Sequence, residues 1–112
     1  DLLPKETEVV LSSTGNFEFD DDDKSCLGTL ALTHDKIYII LFKGVAMLSP
    51  WMHADIPLRN LRNIRVTGSI VRSLEFDYSI GGSVKHVDFI SLDAEVREIL
   101  AKIEYEADNP KV

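Results

Sequence analysis

Four consecutive carboxylates, Asp20-Asp21-Asp22-Asp23, form the densest block of charge in the sequence, and Lys24 follows them. Adjacent carboxylates offer two chemistries: oxygen ligands for a hard cation, and a negative surface for a basic partner. The run lacks the D-x-D-x-D-G spacing of a calcium loop, and blocks of like charge are usually solvated tips. It therefore reads first as a solvated loop tip and second as a contact for a basic peptide or a cation. A second set, Arg59, Arg62 and Arg65, recurs every three residues, with Arg72 beyond it. Guanidinium forks suit phosphates and carboxylates. The stripe is thus a candidate contact for a phosphate or an acidic partner, against the alternative of plain surface charge paired with the chain's own acids. The third set lies in residues 45–52, of which six are apolar, among them Met47, Leu48, Trp51 and Met52. Trp anchors at interfaces and Met adapts to shape. Exposed, this segment would contact a partner or a membrane; folded back, Leu48 and Trp51 would cover the core. Of the three sets, this one carries the functional expectation.

Catalytic constellations are harder to assemble. His34, His53 and His86 are scattered, without a metal-ligand spacing such as H-E-x-x-H. Cys26 is the only cysteine, so neither an internal disulfide nor a Cys-based zinc site can form. Nothing in the sequence places a base beside it, and a small buried cysteine is the plainer reading. No glycine-rich phosphate loop occurs. The expectation is a protein that is not an enzyme and carries no cofactor and no metal.

The elements that must position these residues follow from pattern. The chain has 112 residues, 45% of them hydrophobic, which suits one domain spanning 1–112 with a real core. Its 12 basic and 19 acidic residues give a net charge of −7, which argues against nucleic acid as a partner. No apolar run approaches the ~20 residues of a membrane span. The chain opens on Asp1 with no signal-like segment. We therefore expect one domain of a longer protein, in a reducing, cytoplasmic setting. Alternation predicts strands over 7–14, 26–33, 36–42, 54–58, 62–67, 71–79 and 84–90. Residues 15–25 and 43–53 read as loops, and Gly81-Gly82 as a hairpin turn. Val96, Ile99, Leu100 and Ile103 fall on one helical face, predicting a helix over about 93–106 that Ser91 or Asp93 caps and Asn109-Pro110 ends. The fold class is mainly β: about seven antiparallel strands in a barrel closed by a C-terminal helix.

Three segments carry a family resemblance: GTLALTHDKIYI at 28–39, IPLRNLRNI at 56–64, and a last strand ending at Phe89-Ile90 directly before the helix. In that order they resemble the pleckstrin-homology-like superfamily, closest to its GRAM and bacterial or archaeal branches, over about residues 7–106. The resemblance implies a β-barrel module that binds lipid headgroups or proteins. Members that bind phosphoinositides do so with basic residues in the first hairpin loop, where this chain places four aspartates that would repel a phosphate. The expected role is a non-catalytic adaptor module for a protein or peptide partner, with peripheral membrane attachment through Arg59, Arg62 and Arg65 as the alternative. The sequence does not give the oligomeric state.

Overall fold

The computed structural model describes residues 2–20, 22–43 and 49–109. In chain order the elements are β1 (Leu11–Phe19), β2 (Asp22–Leu32), β3 (Lys36–Lys43), β4 (Ser49–Pro57), a single 3-10 turn (Leu58–Asn60), β5 (Leu61–Thr67), β6 (Ser73–Ile80), β7 (Ser83–Ser91) and α1 (Val96–Asp108). The strands form one antiparallel sheet in the order β4-β3-β2-β1-β7-β6-β5. β1 is the seam: it pairs with β2 from Leu11 and with β7 from Gly15, joining the first four strands to the last three.

Alternation decides which face is buried. Leu74, Phe76 and Tyr78 of β6 point into the core, as do Ile37, Ile39 and Leu41 of β3 and Val87 and Phe89 of β7. They meet Phe17, Leu30 and Leu32 in a single cluster, so the sheet curves around one core. Curved as it is, the sheet stays open: β4 and β5 are its edges and do not pair. The expectation of a closed barrel is corrected to an open seven-stranded sheet.

Residues 15–25, read as a loop, are largely strand. Gly15 pairs with Gly28, and a Cβ on Gly15 would strike the Ile90 carbonyl and come within 2.8 Å of the Phe89 ring. This glycine permits close strand approach rather than a turn. β1 and β2 therefore run on to Phe19 and from Asp22, leaving a tight hairpin. At the other end, β1 begins at Leu11 rather than residue 7. Gly81 and Gly82, with φ of 55° and 82°, make the expected turn between β6 and β7.

Helix α1 buries Val96, Ile99 and Ile103 and packs on β5, β6 and the 3-10 turn. It starts three residues later than expected, and neither Ser91 nor Asp93 is its N-cap. Asp93 accepts the Ser13 hydroxyl at 2.7 Å and the Thr14 amide at 3.2 Å, and these bonds, the Ser13 one first, hold its carboxyl below the usual range. Ser91 Oγ accepts the Ala94 amide at 2.8 Å. Glu95 sits at the N-cap without a side-chain cap, and Asn109 ends the helix by donating to the Tyr105 carbonyl.

Candidate functional site: an aromatic mouth with Asp20 at its rim

The β3–β4 register steps from Ile39↔Ala54 to Ile40↔Met52, which makes His53 the extra residue of a β-bulge. Bulges re-aim side chains. Under strict alternation Trp51 and Ala54 would face opposite sides. With the bulge, Trp51 opposes Leu41 and Ala54 opposes Ile39, both core-facing partners. The His53 ring packs on Phe19 at the end of β1, with centroids 4.3 Å apart, and meets Trp51 edge-on at 5.7 Å. Trp51 remains 37% exposed.

Beside this aromatic group lies a cleft of about 250 Å³, lined by Phe19, Asp20, His53, Ala54, Tyr78, Ile80, Lys85 and His86. Its walls come from β1, β4, β6 and β7, so it is the mouth of the curved sheet. Asp20 stands in the β1–β2 turn and is exposed, as is Lys85, which opposes Tyr78 in the β6–β7 register.

His86 at the rim is held by two carboxylates. Its Nδ1 lies 2.7 Å from Asp77 Oδ1 and its Nε2 3.1 Å from Glu75 Oε1. The hydrogen bond to Asp77 raises the imidazole pKa above its ordinary value. Partial burial opposes that shift, and the charges of Asp20, Asp77 and Glu75 assist it. The Asp77 carboxyl is lowered in turn, first by the Asn63 amide at 3.0 Å and then by His86.

The three predicted sets are distributed as follows. Asp20 is at the mouth. Asp22 and Asp23 open β2, and Asp21 lies outside the described residues. Trp51 meets His53 beside the mouth, whereas its neighbour Met52 opposes Ile40 and faces the other way. Met47 and Leu48 lie outside the described residues. Residues 49–53, read as loop, belong to edge strand β4. The arginines are elsewhere, and Arg62 and Arg65 are already engaged. Arg62 donates to the carbonyls of Arg59 and Leu61 at 2.7 and 2.8 Å. Arg65 donates to the Asn63 carbonyl at 2.6 Å and pairs with Glu75 at 3.2 Å. Arg59 is exposed on the 3-10 turn.

The sequence reading missed Phe19, His53, Tyr78 and Lys85 as a group, because a bulge and a contact across the curved sheet bring them together. It also missed a second pair. Glu106 of α1 is buried with its Oε1 2.9 Å from His34 Nδ1 in the β2–β3 turn, and Glu8 lies 3.6 Å from His34 Nε2. A larger groove of about 530 Å³ runs between residues 69–72 and the start of α1, beside the exposed Ile70 and Val71. Of the predicted sets it touches only Arg72. Among the described residues, no group of three or more His, Cys, Asp or Glu is placed to hold a metal ion. No helix among them is long and apolar enough to cross a membrane. No family model and no curated protein matches this chain.

Proposed function

We propose that this chain is a non-catalytic interaction module of pleckstrin-homology-like type that binds a basic segment of a protein partner at the mouth of its sheet. One observation carries the reading: the His53 ring that Trp51, from the apolar set, meets edge-on lines the same cleft as Phe19 and Asp20, first of the four aspartates. Aromatic rings give contact area at low entropic cost, and Asp20 at the cleft, with three further aspartates next to it in sequence, favours a basic partner. Edge strand β4 lies beside the cleft and pairs on one side only, with β3. An extended peptide can add to that edge as a further strand while a side chain enters the mouth.

The membrane reading draws less support. Arg62 and Arg65 already bond to backbone carbonyls and Glu75, which leaves them less able to take anionic headgroups. The order of seven antiparallel strands followed by a helix supports the superfamily reading.

Calorimetric titration with a Lys/Arg-rich peptide tests this function. Binding should weaken as salt rises from about 0.05 M to about 0.5 M, as screening shortens the reach of the aspartates. It should fall further in a chain with Asp20, Asp21, Asp22 and Asp23 changed to Asn. Equal binding by that variant, or no binding by the native chain, refutes the reading.

A further inference from the structure

We infer that the mouth selects arginine over lysine in its basic partner, an inference that rests on the function proposed above. Its walls are largely carbon: the rings of Phe19 and Tyr78, the His53 imidazole, and Ile80. One carboxylate, Asp20, stands at the rim. A cation entering such a space leaves most of its hydration behind. A guanidinium is weakly hydrated, lays its flat face on an aromatic ring and offers a two-pronged fork to a carboxylate. A lysine ammonium is compact and strongly hydrated; it gains one acceptor from Asp20 and has no flat face to stack.

The two cationic residues of the cleft do not reverse this preference. The His86 ring nitrogens face Asp77 and Glu75, which balance its charge. Lys85 is exposed, and an exposed lysine can lay its stem along a wall while its ammonium stays in water.

The test uses the full chain and three small probes that share a backbone: N-acetyl-arginine methylamide, its lysine counterpart and its citrulline counterpart. Citrulline keeps the planar shape of arginine without the charge. Ring-proton shifts of Phe19 and His53 are followed by NMR at low salt. The expected result is saturable binding of the arginine probe at least about tenfold tighter than the lysine probe, a difference of about 1.4 kcal/mol. The citrulline probe should give no saturable shift, and Asp20→Asn should remove the preference. Equal affinity for arginine and lysine overturns the inference and leaves the basic-partner function standing, since charge alone would then be read. Equal response to citrulline, or no shift with any probe, also overturns it, while the peptide titration above judges the function separately.

Discussion

The Phe19 and His53 rings pack against each other, tilted by 33° with centroids 4.3 Å apart, although their strands, β1 and β4, are separated in the sheet by β2 and β3. The contact therefore reaches across the concave side of the sheet. It exists because the sheet curves and because the bulge at His53 brings that ring to the mouth. His53→Ala should lower stability by about 0.5–1.5 kcal/mol, the worth of an aromatic pair. It should weaken basic-peptide binding more than it weakens the fold. Chemical denaturation and calorimetry on the same variant separate the two effects.

Close packing at the β1–β7 seam depends on Gly15. Gly15→Ala places a Cβ against the Ile90 carbonyl and the Phe89 ring, in the packed interior. A loss of about 3 kcal/mol is expected, at the upper end for overpacking. Gly81→Ala is the contrast: nothing lies near its Cβ, and only the φ of 55° is strained. That variant should lose about 1 kcal/mol. Urea unfolding of the pair measures the difference, and equal losses would show that the seam tolerates a side chain.

His86 makes stability depend on pH in a defined direction. Its pKa is raised in the folded chain by Asp77, so its contribution is fully present below the ordinary histidine value of 6.5 and is lost as pH rises through the higher folded value. Asp77 and Asp93 act oppositely. Their lowered pKa values give stability that is present above the ordinary 3.8 and lost as pH falls through the folded values. His86→Gln should therefore destabilise the chain near pH 5–6 and matter much less near pH 9. Thermal melts of both chains across that range give the answer; a pH-independent difference would mean that His86 acts through packing alone.

The pattern of strands and helix is legible in the sequence because alternation and helical period report burial directly. Leu74, Phe76 and Tyr78 are buried as expected, and so are Val96, Ile99 and Ile103. What is not legible is long-range geometry. Gly15 has the same letter whether it turns a chain or admits a neighbouring strand, and it does the second. The bulge at His53 breaks the period of two, so residues 49–53 look like loop while forming an edge strand. Asp20 and Trp51 are each visible as features, but only the curved sheet places Asp20 at the mouth and Trp51 beside it. The open edges escape the sequence too, since closure depends on whether β4 and β5 meet.

Glu106 continues the 96, 99, 103 spacing of the helix's buried face, and it is buried against His34. Glu106→Ala removes a hydrogen bond to a charged group and should lower stability by about 2 kcal/mol. Glu106→Gln keeps an acceptor for His34 and should cost less. Equal losses, measured by denaturant unfolding, would show that the bond is not what holds the last turns of α1 to the β2–β3 turn.

Trp51 is the only tryptophan in the chain, and it meets His53 beside the mouth. The most direct measurement is its fluorescence during titration with a basic peptide, with anionic vesicles as the parallel arm. The expected result is a saturable blue shift with the peptide that weakens as salt is added, and no shift with vesicles. A spectrum that ignores the peptide, or that shifts with anionic vesicles instead, would contradict a basic-partner site at this mouth.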